Sequence, residues 1–551
     1  MSNQKSPQQP GAAFMPDGVA DGLGKNASTP RSGNATDEAV STDSVSHPVN
    51  DDLVKFPDGL GTYSKGLKQT SPGIADAGSF AQFLSACGVK PGGPVADFEH
   101  PAILRGGTPK LNGPLGAFAG QLVGKVSQDF GAPVVPAPPA LDSDEYAIEL
   151  VELYWASLLR DVAFEDYPND ATAKAAAKEL TILAGHLGKY AGPLDKDQEV
   201  TPGLLFRGGL NAKPGYFAGE AIGPYLSQFC LIPTSLGRVP IGQQIKTFLP
   251  AQDFMTTADE WFAIQNGKAA TATAALDPVC RYMRCGRDTA AYTNVDELYQ
   301  AYLIAYLVAN TIGLPPNPGI PYNPSKNLLP NEKPFGTFGG PDIAATIGAV
   351  ARAALNAVWY QKWRVHLRHR PEAGGGIVQL LKTGGLDKTQ AAKLGNFDLV
   401  LNSEALKTSH DRNGTYLLSQ AFPEGSPTHP AYPTGHGTVA GACITVLKFF
   451  LDGSAPFTYR VSPSNDGLAL LPYNGSGPLT VNGELHKLAH NISFGHGIHA
   501  GIHWRSDTDS SILLGEAVAI AYLLDQMYSY KEQFDITITK IDGTPQRFKN
   551  F

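Results

Sequence analysis

Beyond Pro341 the chain runs to Leu367 without another proline, rich in alanine and apolar residues, and this stretch reads as one long helix. It does not stand alone. Asp144–Asp161 places Ile148, Val151, Tyr154, Trp155, Leu158 and Leu159 at helical spacing behind a Ser/Asp start. Ala171–Leu187, Gly219–Phe229, Val295–Ile312, Val439–Leu451 and Ser510–Tyr528 continue the series. The end of the chain differs. Residues 535–540 (Asp-Ile-Thr-Ile-Thr-Lys) alternate, Asp542-Gly543 supplies a turn, and Arg547-Phe548-Lys549 returns, which predicts a β-hairpin. The fold class expected is mainly α: a helical bundle with long loops and a small C-terminal hairpin.

Residues 1–50 are rich in Ser, Asn, Asp, Gly and Pro and read as a flexible arm, since they bury too little apolar surface to offset ordering entropy. Residues 51–140 are an irregular extension broken by Gly and Pro, with Pro133–Pro139 as a stiff connector. The helical domain is expected over 141–530 and the hairpin tail over 531–551. An extension of this kind suits covering a neighbouring copy, so a homodimer or larger homo-oligomer is expected.

With 551 residues and a formal charge of −8, the chain lacks the basic footprint of a nucleic-acid binder. Five scattered cysteines form no CxxC pair; Cys280 and Cys285 are near enough to bridge, but free thiols are expected. The first residues show no secretory apolar core. The longest apolar helices carry Arg352 or Glu516 within them, so no membrane span is expected and the protein is read as soluble and cytoplasmic.

Three separated clusters carry groups suited to an oxyanion. In the first, Lys362 and Arg370 lie eight residues apart at the end of the long helix, near one face. A point charge and a planar fork together hold tetrahedral oxyanions, although cations at a helix C-terminus also merely complement its dipole. The second is His429 with Pro433-Thr434-Gly435-His436. Pro433 fits a helix start, and Thr434 and Gly435 leave backbone N–H groups facing outward beside an imidazole. A turn with a helix cap would look the same. The third holds His496, His499 and His503, which on a regular helix would share a face able to bind a divalent metal; Gly495, Gly497 and Gly501 weaken that helix.

The joint order is more specific than any cluster. Lys-x7-Arg-Pro, then Tyr-Pro-Thr-Gly-His, then Gly-Ile-His-Trp-Arg-Ser-Asp resembles the vanadium-dependent haloperoxidases, nearest to their algal and cyanobacterial bromoperoxidase branch. Leu205–Gly209 (Leu-Phe-Arg-Gly-Gly), Gly286-Arg287-Asp288 with Tyr292, and Val358–Trp363 extend the resemblance over roughly 145–530. It implies vanadate as cofactor, with phosphate as its stand-in. Lys362, Arg370, Thr434 and Gly435 would hold equatorial oxygens, His503 would bind the metal, and His436 would touch the apical oxygen and move protons. His429 matches a further histidine that tunes halide oxidation.

The partners implied are hydrogen peroxide, a halide (bromide or iodide before chloride) and a small organic acceptor. The related alternatives are an acid phosphatase-type hydrolase using the same pocket and a degenerate anion-binding member. One departure stands out. The family carries an Arg six residues before the ligand histidine, where this chain has Gly497; aligned on Gly495, His496 takes that place with one residue inserted. Arg505 would point away from the pocket.

Overall fold

Helix packing at the centre of the molecule is set by two glycines. Gly441 lies in the helix Gly435–Phe450 and Gly515 in the helix Arg505–Gln526. A Cβ on Gly441 would strike the Ile512 carbonyl and one on Gly515 the Thr438 carbonyl, so only glycine allows this approach. All of Gly435–Phe450 is buried, and Gly340–Tyr360 covers it from another side. The computed structural model describes residues 47–551 except 72, 90–94, 101–102, 104–109, 118–134, 210–214, 325, 327 and 476, with the backbone alone at 186 and 187.

In chain order the principal helices are α1 (Ala77–Ala86), α2 (Asp144–Leu158), α3 (Ala171–Leu187), α4 (Gly286–Asn294), α5 (Gln300–Ile312), α6 (Gly340–Tyr360), α7 (Pro371–Thr383), α8 (Gly435–Phe450), α9 (Val481–Phe494) and α10 (Arg505–Gln526). Among the described residues there are four small two-stranded antiparallel sheets; the last pairs Asp535–Thr539 with Pro545–Lys549 around Asp542-Gly543. Within the unit Val45–Phe551, the segment after Asp51 lies on the helical part: the Tyr63 N–H donates to the Leu367 carbonyl, and Lys65 pairs with Glu372 at 2.7 Å, both side chains buried. The expected arm falls outside the described residues up to residue 46.

Two helix expectations need correction. Gly219–Phe229 is not helical. Gly219 and Gly223 adopt positive φ (87° and 82°), Pro224 follows, and only Gln228–Cys230 makes a 3-10 turn. Buried Arg207 takes the carbonyls a helix would have used, donating to Glu220 and Gly223. The helix expected from Val295 begins at Gln300, because Asp296 turns instead toward His436.

The long helix keeps α-form to Tyr360, then widens into a π-helical turn over Gln361–His366, and Leu367 enters the left-handed region at φ 47°. Helix α9 carries Val481, Leu485, Leu488 and Ile492 at helical spacing, but its Glu484, Lys487, His490 and Asn491 are buried as well; Lys487 and Glu484 pair at 2.7 Å. Helices α6 and α10, with their extensions, are long and apolar enough to cross a membrane by length and composition. Here they pack against α8.

Candidate functional site

The π turn delivers Lys362 inward, where it is fully buried and donates to the Pro430 and Ala431 carbonyls at 2.9 and 2.6 Å. Arg370 precedes the proline that starts α7, in extended conformation. Its guanidinium donates to the carbonyls of His429 and Ile502, both at 2.9 Å, and lies 2.7 Å from His503 Nε2 and 3.0 Å from His429 Nδ1. His429 also lies against Trp359, ring centroids 4.7 Å apart. Thr434 caps α8, after a cis Tyr432–Pro433 peptide. Among the described residues its hydroxyl meets only the Thr508 hydroxyl, at 3.4 Å, and the Gly435 N–H meets no backbone acceptor.

His503 is buried, and its Nδ1 lies 2.9 Å from Asp507 Oδ2. Asp507 Oδ1 in turn accepts from Arg368 at 2.7 Å, and Arg368 also pairs with Glu149. His436 Nε2 lies 2.9 Å from Asp296 Oδ1. His496 stacks on His436 with centroids 3.7 Å apart, and sits 5.7 Å from His503. The structure thus gathers Lys362, Arg370, His429, Thr434, Gly435, His436, His496 and His503 into one cluster.

His499 is not among them. It turns away, its Nε2 2.9 Å from the Tyr225 hydroxyl and its ring against Phe164 and Phe206. The trio His496, His499 and His503 therefore does not form a metal site: a π-helical turn over Gly495–His499 rotates the three off a common face. Arg505 is absent from the pocket too, since Glu152 holds its guanidinium through Nε and both ends of the fork stay buried.

The electrostatics point to an anion. Lys362 and Arg370 are buried, and among the described residues no carboxylate pairs with either. Burial, with Arg370 beside it, pushes the Lys362 ammonium well below the usual lysine range. Burial also brings Arg370 down to about 10. His429 and His503 are driven well below the ordinary histidine range by burial and then by Arg370 and Lys362, so both rings are neutral. Two uncompensated buried cations, a hydroxyl and a helix start around a neutral imidazole form a donor set suited to an oxyanion with one nitrogen ligand.

Known proteins agree with that chemistry. The chain is 34% identical over 487 residues to the vanadium-dependent bromoperoxidase of Ascophyllum nodosum, covering 86% of this chain and 83% of that one. It is 32% identical over 458 residues to the vanadium-dependent bromoperoxidase of Corallina officinalis, covering 74% and 75%. The chain belongs to the vanadium-dependent bromoperoxidase family.

The solved structure of the second vanadate-dependent bromoperoxidase of Ascophyllum nodosum, a homohexamer, superposes with a TM-score of 0.77 at 25% identity, covering 93% of this chain and 88% of that one. No family model matches the chain. The cofactor of this family is vanadate, and the residues present fit it.

At the departure from the family pattern, Gly495–His499 forms a π-helical turn, bonded i to i+5 in place of i to i+4. Position 497 faces His503 closely, since a Cβ there would lie 3.1 Å from His503 Cβ. His496 instead faces His436, with its Nδ1 buried and unpartnered. Burial, and then His436 and His503, hold the His496 imidazole well below its ordinary range, so it adds no charge to the pocket as it stands.

Asp296, Asp507, Arg368 and Trp359 were not assigned roles from sequence. Asp507 had a readable signal, four residues after His503 and so one helical turn away. Asp296 had none, because its partner lies 140 residues along the chain.

Proposed function

We propose that this chain is a vanadate-dependent haloperoxidase that oxidises bromide or iodide, and chloride less readily, with hydrogen peroxide to hypohalous acid. The observation that carries the reading is that two buried cations without a carboxylate partner, Lys362 and Arg370, lie in one cluster with His503, whose Nε2 faces the Arg370 guanidinium at 2.7 Å. Lys362, Arg370, the Thr434 hydroxyl and the Gly435 N–H would hold the oxygens of vanadate, and His503 Nε2 would be its nitrogen ligand. Vanadate supplies Lewis acidity toward peroxide when bound, with no change of its own oxidation state.

The protein's part is binding and proton handling. His436, with Asp296 against its Nε2, would take a proton from incoming peroxide and return it to the leaving oxygen. Lys362 would polarise the bound oxygens, and His429, packed between Arg370 and Trp359, would shape the halide's approach. The overall change balances: halide, hydrogen peroxide and a proton give hypohalous acid and water. Hypohalous acid then halogenates an organic acceptor. His496 would stand in the place of the family's second Arg.

We also read the chain as a homo-oligomer, as its homohexameric relative is, and as a soluble cytoplasmic protein whose long apolar helices serve its core. The deciding assay gives purified protein orthovanadate, peroxide and bromide. Bromination of a phenolic dye supports the reading. Hydrolysis of p-nitrophenyl phosphate without bromination would replace it with the phosphatase alternative. Inactivity in both assays would leave an anion-binding protein. Light scattering at micromolar concentration checks the oligomer, and a monomer mass would exclude it.

A further inference from the structure

Beside the point where α4 ends and the chain turns to Asp296, the surface is hollowed into a cleft of about 610 Å³. That volume suits a small organic molecule, not an ion. Phe248 and Ile264 line it and are buried, while Leu276 and Val295 line it and are 52% and 87% exposed. The lining between Ala269 and Ala274 consists of alanines and one threonine, which keeps the space open.

Two further observations say what the cleft would take. Lys246 and Lys268 line it and are exposed, and among the described residues no hydrogen bond or ion pair engages either ammonium. Glu424 is the single acid in the lining, so the cleft carries net positive charge. Its position is the second observation. Val295 lines the cleft, and the next residue, Asp296, lies 2.9 Å from His436. On the other side Glu424 lines it, and five residues on His429 meets Arg370. The cleft is therefore lined by the segment that leads to Asp296, the partner of His436, and by the segment that leads to His429.

We infer that this cleft binds the organic acceptor, and that the acceptor class is an apolar, electron-rich molecule bearing a carboxylate. The inference rests on the haloperoxidase reading, which supplies the hypohalous acid. The apolar body would lie against Phe248, Leu276 and Val295, where burial gives the affinity, and the carboxylate would face Lys246 and Lys268. Halogenation then proceeds at carbon: the C–X bond forms as the X–O bond breaks, and the carbon's proton leaves with the hydroxide as water. The carboxylate is an anchor and is not consumed.

The test uses the full chain without peroxide or halide, titrated calorimetrically with indole-3-butyrate and with its uncharged amide. Saturable binding of the acid is expected, at least tenfold weaker for the amide and for the double variant Lys246→Glu/Lys268→Glu. Ala272→Trp, at an exposed lining position, should abolish binding by filling the cleft.

Peroxide-dependent oxidation of iodide to triiodide needs no organic acceptor and should be unchanged in both variants. No saturable binding, or equal binding in parent and variants, overturns the inference. So does a changed oligomer mass in the charge-reversal variant, which would make the cleft a subunit contact. Failure of the parent to form triiodide would instead overturn the haloperoxidase reading, while the calorimetry still decides whether the cleft binds.

Discussion

Arg370 Nη1 lies 2.7 Å from Nε2 of His503, while Nδ1 of the same ring lies 2.9 Å from Asp507. A guanidinium only donates, so Nε2 must accept, and the ring proton sits on Nδ1 facing the carboxylate. Asp507 thereby fixes the tautomer that leaves Nε2 with its lone pair, which here accepts from Arg370. This is the usual arrangement behind a metal-binding histidine.

Asp507→Asn is the direct check. It keeps the shape but removes the charge that holds the Nδ1 proton and balances Arg368. Vanadate affinity should fall by about 10- to 100-fold, the usual cost of losing such a partner. Vanadium retained after equilibrium dialysis measures it; an unchanged dissociation constant would show that Asp507 does not orient the ligand.

Lys362 gives an opposed pair of effects. Its ammonium is buried with two carbonyl acceptors and no carboxylate, so removing the charge relieves a desolvation cost while leaving those carbonyls unmatched. Lys362→Met should leave the vanadate-free protein as stable as the parent or more so by about 1 kcal/mol. Vanadate-dependent halide oxidation should fall by about 10²-fold or more. Thermal melts and triiodide formation on one preparation read both. A variant that loses stability and keeps activity would place Lys362 in the scaffold only.

Much of this was legible in the sequence where chemistry and periodicity coincided. The helix Ala171–Leu187 has the bounds its spacing predicts, with Asp170 as its cap, because nothing in the site competes for it. Val295 and Asp296 fail as helix for the opposite reason: Asp296 is drawn to His436. Helix α9 is absent from the sequence reading although Val481, Leu485, Leu488 and Ile492 fall at helical spacing, because the polar residues between them, among them the buried Glu484–Lys487 pair, make the segment read as surface. The pocket residues were legible as three clusters in order. Their closure into one site was not, since Arg370 reaches His503 across 133 positions and no local pattern encodes that.

Acid stability should follow the buried neutral histidines outside the pocket. Burial lowers His366, His369 and His499 to about 3. Between pH 6.5 and that value the unfolded chain takes up a proton at each and the folded chain does not. Stability is therefore fully present above about pH 6.5 and is lost as pH falls, by up to about 1.4 kcal/mol per unit per group. His499→Gln keeps a polar group near Tyr225 and cannot charge. The thermal midpoint of this variant should fall less steeply from pH 6.5 to 4.5 than that of the parent, and parallel curves would show that His499 does not contribute.

The last prediction concerns the place of the second Arg. His496 stacks on His436 at 3.7 Å and is held neutral by burial and its neighbours, so the pocket has one fixed cation fewer than the family pattern implies. A hydrogen bond to a charged group contributes about 1.5–3 kcal/mol, which is roughly ten- to a hundredfold in affinity. His496→Arg should therefore tighten vanadate binding by that order, because the π turn already aims this position at the pocket. His496→Ala removes the stack and no charge, so it should change vanadate affinity by less than about threefold while lowering turnover through a less ordered His436. Gly497→Arg should weaken binding, since its first side-chain atom would press on His503 Cβ and displace the ligand ring. Dialysis of vanadate against the three variants separates the readings. If Gly497→Arg tightens binding and His496→Arg does not, the inserted residue lies elsewhere and position 497 is the true counterpart of the missing Arg.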